Sequence, residues 1–298
     1  MRVVFLGCGY LGSNLFQLLK DTFDTEMWGI DSPYVSKVDS FRLINVFDPQ
    51  AMEAMDLHDA VVIDTVALVA NSDRSEDEEK ALQVLAEKYR ALFSVLKKGG
   101  VRRFVFFSSG GTVYGSHTQP RRESDPLQPS TLYSRSKVRI EEELKHSGLD
   151  YLILRLSNPY GGYQVPGKRQ GVIPIVLRKA YLDEPFQLMV NPESIRDYIY
   201  ISDFAQELKK LLELDVSNMT INVGSGKGTS LQRVIHLCEM ITGKKLRIEH
   251  QMAQVPMVQD IVLDVARLQS LTGIHPSITI EEGMKKEDER IRQELGIR

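Results

Sequence analysis

Hydrophobic and polar positions alternate in blocks along the first half of the chain. Short apolar runs, typical of buried strands, are separated by longer stretches in which apolar residues recur at helical spacing. The apolar runs predict strands at residues 2–6, 25–30, 59–70, 102–109 and 151–158. The stretches between them predict helices at residues 13–20, 76–98 and 134–148. Strands that are apolar throughout and alternate with helices predict a parallel sheet with helices on both faces.

The helix predicted over residues 76–98 carries its own start and stop signals. Ser75 and Glu78 have the spacing of a capping box, in which each side chain binds the other residue's backbone N–H group. Gly99-Gly100 marks the end of the helix. The acidic run at residues 75–80 is therefore interpreted as a solvated first helical turn, which the helix dipole favours, and not as a binding tail.

The second half of the chain has a different pattern. Prolines punctuate residues 159–196, which predicts loops and short elements there. Residues 197–225 have the pattern strand, helix, strand and are predicted to return to the main sheet. The tail predicts helices near residues 230–242, 264–272 and 281–295 around a strand near residues 245–250. We therefore expect two domains, one of residues 1–160 plus 197–225, and a smaller, discontinuous α/β domain of residues 161–196 plus 226–298.

Composition and charge narrow the function classes. A chain of 298 residues with a formal net charge of −3 has no global basic field for nucleic acid or for an anionic membrane surface. Its two cysteines, Cys8 and Cys238, do not make a disulfide framework. The N-terminus lacks a signal-peptide pattern, and no apolar run approaches the roughly 20 residues of a membrane span. We therefore expect a cytoplasmic protein without nucleic-acid or membrane partners.

The sequence GCGYLG at residues 7–12 has the pattern G-x-G-x-x-G. It follows the first predicted strand and opens the first predicted helix, which is the context in which this pattern binds a dinucleotide. Gly7 permits the tight turn, Gly9 lets the backbone approach a pyrophosphate, and Gly12 allows close packing of helix and strand. The motif therefore predicts a Rossmann-type, doubly wound α/β domain with the phosphates at the helix N-terminus.

An acidic residue about 20 residues after the glycine motif is expected to bind the adenosine ribose. Asp31 lies nineteen residues after Gly12, at the end of the second predicted strand. Its carboxylate would accept hydrogen bonds from the ribose hydroxyls and repel a 2′-phosphate. Since neither Ser32 nor Pro33 offers an arginine, we expect NAD and not NADP. The alternative is that Asp31 is only a turn residue. Asn45-Val46 is predicted to flank the adenine.

The stretch FVFFSSGGTVYG at residues 104–115 leads from a buried strand into hydroxyl and glycine residues. The following helix carries the sequence YSRSK, in which Tyr133 and Lys137 lie four apart and so share one helix face. Both would lie at the carboxyl edge of the sheet, where doubly wound folds bind ligands. A free tyrosine, with a pKa of about 10, is a poor base at neutral pH, but a nearby ammonium and a nicotinamide cation would favour its phenolate. The pattern indicates a tyrosine base whose lysine partner can also hold the nicotinamide ribose.

Motifs along nearly the whole chain resemble, in their order and spacing, those of the extended short-chain dehydrogenases/reductases. The resemblance is strongest to the nucleotide-sugar epimerases and dehydratases, such as the UDP-glucose/UDP-galactose 4-epimerases. Besides the stretches quoted above, it rests on LRLSNPYGGYQ (154–164), QGVIPIVLRKA (170–180), RDYIYISDFA (196–205), INVGSG (221–226) and LTGIHPSITIEEGM (271–284). It implies a Rossmann domain that tightly holds NAD, a smaller domain that binds a nucleotide-sugar substrate, and a homodimer formed through the helices near 76–98 and 131–147.

The resemblance also implies roles for individual residues. Tyr133 is the catalytic base and Lys137 its partner. Asn158 contacts the substrate diphosphate, Arg196 pairs with the nucleotide phosphates through its planar fork, and Val172 lies near the uracil or its phosphate. The alternative for Arg196 is a local surface ion pair with its neighbour Asp197. The complete predicted cofactor-binding set is Gly7, Gly9, Tyr10, Leu11, Gly12, Asp31, Asn45, Val46, Ala67, Ser108, Tyr133 and Lys137. No metal site is predicted.

Two departures from the family pattern concern the phosphate contacts. The family's glycine loop has a further glycine where this chain has Leu6, so the geometry around the cofactor phosphates is expected to differ slightly. The family tail often carries an arginine before a proline for a second substrate phosphate contact, whereas this chain has Val255 before Pro256. The second departure weakens the standard grip on a UDP-sugar.

A third departure concerns the catalytic hydroxyl. The family's Ser/Thr partner of the sugar hydroxyl corresponds to Gly110, which is predicted to contact substrate. The Asp-Glu pair that dehydratases use is replaced by Gly111 and Thr112, so 4,6-dehydration has no acid–base pair. Ser109, and after it Thr112, are the candidates for the catalytic hydroxyl.

Three functions follow from these residues. The first is NAD-dependent epimerisation, at C4, of a nucleotide-activated sugar through a transient 4-keto intermediate. The second is net oxidoreduction by a nucleotide-sugar ketoreductase or dehydrogenase, which needs the same residues and cofactor. The third, of another class, is a non-catalytic NAD-sensing binding protein.

Overall fold

Two compact units make up the chain. The computed structural model describes residues 1–165, 171–252 and 259–297. The first unit comprises Met1–Ser109, Leu127–Arg155 and Lys209–Ile221, and the second comprises Gly110–Pro126, Leu156–Leu208 and Asn222–Arg298. Each unit is therefore discontinuous in sequence. The predicted division into an NAD-binding and a substrate-binding domain stays a prediction.

The first unit is built on a seven-stranded sheet. Its strands are β1 (Arg2–Leu6), β2 (Asp24–Gly29), β3 (Phe41–Leu43), β4 (Val61–Asp64), β5 (Arg103–Ser109), β6 (Tyr151–Leu156) and β10 (Met219–Val223). They lie in the order β10-β6-β5-β4-β1-β2-β3, so the strand order reverses at β1. The pairings from β3 through β2, β1 and β4 to β5 are parallel. The predicted Rossmann-type, doubly wound parallel sheet is confirmed.

Helices flank this sheet and cover its apolar strands. They are α1 (Tyr10–Leu19), α2 (Pro49–Glu53), α3 (Glu78–Lys98) and α4 (Leu132–Lys145), with a short 3₁₀ turn at Val35–Lys37. β4 and β5 are buried along their whole length, as expected for strands covered on both faces. α3 packs against α4 and buries one stripe of its surface, formed by Leu82, Leu85, Ala86, Tyr89, Leu92, Phe93, Val95 and Leu96.

The start of α3 differs from the prediction. The capping box of Ser75 and Glu78 is not formed, because Asp77 is the N-cap and its side chain accepts a hydrogen bond from the Lys80 N–H at 3.0 Å. Ser75 instead makes a local turn in which its hydroxyl accepts a bond from the Asp77 N–H at 3.3 Å. A carboxylate one residue before the helix satisfies the same backbone donor and adds charge that the helix dipole favours. The predicted end at Gly99 is observed.

The start of α4 lies two residues before the predicted one. Thr131 is the N-cap, and its hydroxyl accepts a hydrogen bond from the Ser134 N–H at 3.1 Å. In return, the Ser134 hydroxyl accepts one from the Thr131 N–H at 3.0 Å. This reciprocal pair fixes the first turn of α4, and the first turn contains Tyr133.

The second unit contains smaller sheets and more helices. Its strands are β7 (Asn158–Tyr160), β8 (Phe186–Leu188), β9 (Ile195–Tyr200), β11 (Gly228–Ser230) and β12 (Ile248–His250). They form a three-stranded sheet in the order β11-β9-β7 and a two-stranded sheet of β12 and β8. The helices are α5 (Val172–Leu182), α6 (Ile201–Glu213), whose residues from Lys209 onward belong to the first unit, α7 (Leu231–Thr242), α8 (Ala266–Thr272) and α9 (Ile280–Leu295). The helices predicted in the tail are thus observed.

Three predictions about strands and loops are wrong. The segment at residues 159–196 is not only loops and short elements, because α5 forms an 11-residue helix with Pro174 in its first turn, where no N–H is needed. β9 does not return to the main sheet and pairs with β7 and β11, while β10 does join the main sheet. The apolar run at 59–70 forms a strand only over β4.

No helix in the described ranges has the length and the apolar character that a bilayer span requires.

Candidate active site

The glycine motif forms the turn between β1 and α1. Gly7 has a φ of +94°, which L side chains rarely adopt. A Cβ on Gly12 would collide with the Gly7 carbonyl oxygen and with Thr65 Oγ1. Gly9 is the N-cap of α1, and a Cβ there would meet no atom within 4 Å. The space beside Gly9 is therefore open to a phosphate at the helix N-terminus, where backbone donors and the helix dipole favour an anion.

Two hydroxyl side chains fix this turn from neighbouring strands. Thr65 Oγ1, directly after β4, lies 2.9 Å from the Leu6 carbonyl oxygen and 2.5 Å from the Gly7 carbonyl oxygen. Ser32 Oγ, shortly after β2, donates to the Cys8 carbonyl oxygen at 2.5 Å. Sequence reasoning missed both residues. Their signal was a hydroxyl residue at the carboxyl end of a strand next to β1.

Asp31, Asn45 and Val46, predicted to contact the adenosine, and Ala67, predicted to bind the cofactor, lie beyond the carboxyl ends of β2, β3 and β4. Asp31 is exposed, and its Oδ1 accepts a hydrogen bond from the Ser32 N–H at 2.9 Å. Asn45 is exposed, and its side-chain oxygen accepts one from the Phe47 N–H at 3.1 Å. Val46 packs in the hydrophobic core, whereas Ala67 is exposed. The set therefore shares one edge of the sheet, with the Val46 side chain serving the core.

Tyr133 and Lys137 occupy the first turns of α4. Lys137 is buried, and its Nζ donates a hydrogen bond to the Phe107 carbonyl oxygen on β5 at 2.9 Å. The same Nζ lies 5.8 Å from the centroid of the Tyr133 ring and 4.8 Å from that of Phe106. The structure thus brings the lysine ammonium next to the tyrosine ring, near the carboxyl end of β5 and in the same unit as the glycine loop.

The hydroxyls predicted at the end of β5 are both buried. Ser108 is 4% exposed, and its Oγ has no hydrogen-bond partner among the described residues. Ser109 is the last residue of β5 and is 9% exposed. A buried hydroxyl without a partner costs free energy unless a ligand or water supplies one, so Ser108 fits a ligand contact.

A buried carboxylate at the end of β4 was not predicted. Asp64 is 2% exposed, its Oδ2 accepts a hydrogen bond from the Tyr89 hydroxyl at 2.8 Å, and its Oδ1 accepts one from the Val66 N–H at 2.9 Å. Burial raises the pKa of Asp64, against the opposing effects of the Lys137 charge and of these two hydrogen bonds. Burial, reinforced by Asp64, raises the pKa of Tyr89 well above its usual value. The signal in the sequence was an aspartate in the middle of the apolar run that begins at Asp59.

The second unit holds a cavity of about 250 Å³ that collects three of the predicted substrate residues. Asn158 on β7, Val172 at the start of α5 and Arg196 on β9 all line it. The other lining residues include apolar side chains and a few polar ones, among them Tyr160, Phe186, Gln187, Met189, Val190, Ser194, Tyr198 and Leu231. Residues far apart in sequence therefore converge on one mostly apolar cavity with few polar groups, as small-molecule sites do.

The neighbours Arg196 and Asp197 do not form a surface ion pair. Asp197 is fully buried, and its carboxylate accepts hydrogen bonds from the Ser225 N–H at 2.8 Å, the Ser225 hydroxyl at 2.7 Å and the Gly226 N–H at 3.1 Å. Asn158 Nδ2 donates to the Asp197 carbonyl oxygen at 2.8 Å. Burial lowers the pKa of the Arg196 guanidinium. Asp197 thus anchors the strand that presents Arg196.

The segment after β5 lies in the second unit. Gly110 is buried, the Gly111 N–H donates to the Leu156 carbonyl oxygen at 3.4 Å, and Thr112 is partly exposed. A Cβ on Gly111 would lie at an ordinary contact distance of 3.6 Å from the Asn158 side chain. The predicted weak point of the tail, Val255 before Pro256, lies outside the described residues, as does Gln170 of the QGVIP motif.

Comparison with known families decides what this arrangement belongs to. The model of the NAD dependent epimerase/dehydratase family matches residues 4–224 of the chain. The chain belongs to this family. Membership confirms the predicted resemblance and the prediction of an NAD-dependent enzyme.

Three similar proteins show which members of the family this chain resembles. It is 38% identical over 205 residues to the dTDP-4-dehydro-6-deoxyglucose reductase of Escherichia coli, a match that covers 67% of the chain and only 65% of that protein. It is 28% identical over 299 residues to a putative UDP-glucose 4-epimerase of Methanocaldococcus jannaschii, with 96% of both chains covered. A crystal structure of the Thermotoga maritima UDP-glucose 4-epimerase with UDP-glucose superposes with a TM-score of 0.87 at 25% identity, covering 99% of this chain and 100% of that one.

The residues present fit the family's cofactor. The open space at Gly9 lies where a pyrophosphate would meet the N-terminus of α1, and the buried Ser108 hydroxyl is available to a ligand. Asp31 is the candidate for the adenosine ribose and Lys137 for the nicotinamide ribose, and Tyr133 belongs to the predicted cofactor-binding set. NAD as cofactor is confirmed through the family, and the individual contacts remain predictions.

Proposed function

We propose that this protein catalyses NAD-dependent epimerisation at C4 of a nucleotide-activated sugar. The observation that carries the proposal is the position of Lys137 Nζ, 5.8 Å from the Tyr133 ring centroid and bonded to β5, in the unit that carries the glycine loop. A tyrosine beside a fixed ammonium is suited to take a proton from a sugar hydroxyl.

In the proposed reaction, Tyr133 removes the proton from the sugar 4′-hydroxyl as hydride leaves C4′, and it returns the proton when hydride is restored to the opposite face. NAD, when bound, supplies the hydride acceptor and donor. Lys137 supports the phenolate electrostatically and stays in place through its hydrogen bond to Phe107. Ser109 is the first candidate for holding the sugar hydroxyl, and Thr112 the second.

The cavity in the second unit is proposed to hold the nucleotide part of the substrate. Its volume of about 250 Å³ lies just below the roughly 300–1,000 Å³ of cavities that enclose a drug-sized ligand, and this suits one end of a nucleotide sugar. Arg196 is assigned to the phosphates because an arginine fork binds phosphate oxygens in pairs. Asn158 is assigned to the diphosphate, and Val172 to the base.

One observation favours a second candidate, reduction of a 4-keto nucleotide sugar. The relative that is 38% identical over 205 residues is named a reductase, whereas the relative named a putative 4-epimerase is 28% identical. In a reductase, Tyr133 would give its proton to the C4′ oxygen as hydride arrives there, and one NADH would be consumed for each product. The same residues serve both reactions, so the products and the cofactor balance must separate them.

The test begins with the nucleotide released when the purified protein is denatured, which is expected to be NAD. UDP-, dTDP- and GDP-sugars are then offered without added cofactor, and a 4-epimer that accumulates without any change in absorbance at 340 nm supports the epimerase. Oxidation of added NADH in proportion to product, with a 4-keto sugar as substrate, supports the reductase. Unchanged turnover in Tyr133→Phe would contradict both the epimerase and the reductase. If the protein retains NAD but turns over none of the sugars, the remaining candidate is the non-catalytic NAD-sensing protein.

A homodimer through α3 and α4 is also proposed. The two helices pack side by side in the first unit, and α3 exposes Val84 at 45% on its surface. Light scattering is expected to give a mass twice that of the chain. Val84→Glu is expected to lower the measured mass. A monomer at micromolar concentration would contradict this assignment.

A further inference from the structure

The buried residue Asp64 and the ammonium of Lys137 are both neighbours of one aromatic residue, Phe106. In the parallel register of β4 and β5, Asp64 pairs with Phe106. Lys137 Nζ lies 4.8 Å from the centroid of the Phe106 ring, and the Tyr89 ring meets the same ring edge to face at 6.3 Å. Phe106 therefore packs against both the lysine and the tyrosine that binds the carboxylate.

The carboxylate is held firmly but has no cation in direct contact. Tyr89 and the Val66 N–H fix its two oxygens at 2.8 Å and 2.9 Å, and Asp64 forms no ion pair within 4.0 Å in the described part of the chain. Lys137 nevertheless acts on it through space, since the lysine charge opposes the burial effect on Asp64. A charge–charge interaction is mutual, so a charge on Asp64 also acts on Lys137. In a buried environment the interaction is only weakly screened.

Two other charged side chains of α4, Glu141 and Arg135, are already paired. Glu141, one turn after Lys137, is bound by Arg155 of β6 at 2.7 Å and 3.0 Å. Arg135 pairs with Glu78 at the start of α3 at 2.8 Å. β5 offers Lys137 a carbonyl oxygen and an aromatic ring, neither of which carries a charge. Among the described residues, Asp64 is a buried carboxylate that forms no ion pair and can balance Lys137.

We propose that Asp64, fixed by Tyr89, is a positioning residue for the proposed reaction: it acts through Lys137, and its charge offsets part of the positive charge that Lys137 presents to Tyr133. The proposal rests on the role of Tyr133 as the base. With Asp64 in place, Lys137 stabilises the Tyr133 phenolate only in part. The phenolate therefore stays an effective base, because a phenolate that is stabilised too far accepts a proton less readily.

The test compares Asp64→Asn with the wild type by two measurements. In the pH profile of kcat/KM, the acidic limb is expected to move to lower pH by about half a unit to one unit, because removal of a buried negative charge favours the phenolate. The tyrosinate absorbance near 295 nm that is lost in Tyr133→Phe should titrate with the same displacement in the protein without sugar. This second measurement needs no turnover, so it tests the electrostatic relationship even if the proposed reaction is wrong.

Tyr89→Phe keeps the carboxylate and removes its hydrogen bond. It is expected to move both midpoints in the same direction by a smaller amount, and it keeps the test available should Asp64→Asn fail to fold. The matched control is Tyr114→Phe, which removes another buried tyrosine hydroxyl, bonded to Asn222 at 2.7 Å. The control should lower thermal stability and leave both midpoints unchanged. Midpoints in Asp64→Asn that coincide with the wild type, or that move to higher pH, would overturn the proposal.

Discussion

Lys137 Nζ donates a hydrogen bond to the carbonyl oxygen of Phe107 at 2.9 Å, which ties the first turns of α4 to β5. The bond holds a charged group that is only 9% exposed and keeps it beside Tyr133. The proposed chemistry depends on this link between a helix and a strand that are consecutive in the fold.

Lys137→Met is expected to lower kcat by about 10²–10⁴-fold, because the loss of the ammonium removes the group that favours the Tyr133 phenolate. Steady-state kinetics on the active nucleotide sugar measures the change. The matched control is Lys145→Met, on the same helix and with a side chain 38% exposed, which should retain wild-type kcat. Equal losses in the two variants would point to helix damage instead of catalysis.

Two glycines of the loop, Gly12 and Gly9, should respond differently to substitution by alanine, which adds a methyl group. A Cβ on Gly12 collides with the Gly7 carbonyl oxygen and Thr65, so Gly12→Ala should destabilise the first unit by about 1–3 kcal/mol. A Cβ on Gly9 meets no atom within 4 Å, so Gly9→Ala should lose affinity for NAD and, with NAD removed from both proteins, keep the wild-type melting temperature. Thermal melts and NAD titration separate the two effects, and tight NAD binding by Gly9→Ala would contradict the placement of the pyrophosphate.

Arg196→Ala should raise KM for the nucleotide sugar by about 10–100-fold, since a hydrogen bond to a charged group contributes about 1.5–3 kcal/mol. NAD retention should be unaffected, because Arg196 lines the cavity of the second unit. Arg233→Ala, which removes an exposed arginine paired with Glu281, is the control and should leave KM unchanged. A fall in kcat without a change in KM would show that Arg196 does not contribute to substrate binding.

Glu207 should make stability depend on pH. Its carboxyl group is fully buried, neither oxygen has a hydrogen-bond partner among the described residues, and burial, reinforced by Asp203 and Asp197, raises its pKa from 4.5 to about 9. The folded protein therefore keeps this proton up to about pH 9, while the unfolded chain loses it near pH 4.5. The unfolded state binds fewer protons in this window, so this contribution to the free energy of unfolding is present in full below pH 4.5 and falls as pH rises towards 9.

The measurement is urea unfolding of the wild type and Glu207→Gln across pH 5.5–8.5. The stability of the wild type relative to the variant should fall by up to about 1.4 kcal/mol per pH unit over this range. The control is Glu213→Gln, at the exposed end of the same helix, where Glu213 Oε1 lies 3.8 Å from Lys209 Nζ. Its free energy of unfolding should follow that of the wild type at every pH. Parallel curves for wild type and Glu207→Gln would mean that Glu207 ionises normally in the folded protein.

Local patterns predicted the elements that depend on neighbours in sequence. The glycine loop, the helix stripe of α3 and the shared face of Tyr133 and Lys137 each follow from a turn or from helical spacing. The start of α3 was mispredicted because Ser75 and Asp77, two positions apart, can both cap a helix, and sequence spacing does not rank them.

The sequence by itself determined most strands and helices of the first unit, the glycine loop between β1 and α1 and the shared helix face of Tyr133 and Lys137, because each is specified within a few residues. Only the tertiary structure decided that β9 leaves the main sheet, that Asn158, Val172 and Arg196 line one cavity, and that Asp64 pairs with Phe106 beside Lys137. These relationships join residues tens of positions apart. They are set by strand register and by burial, which the local pattern of apolar and polar residues does not encode.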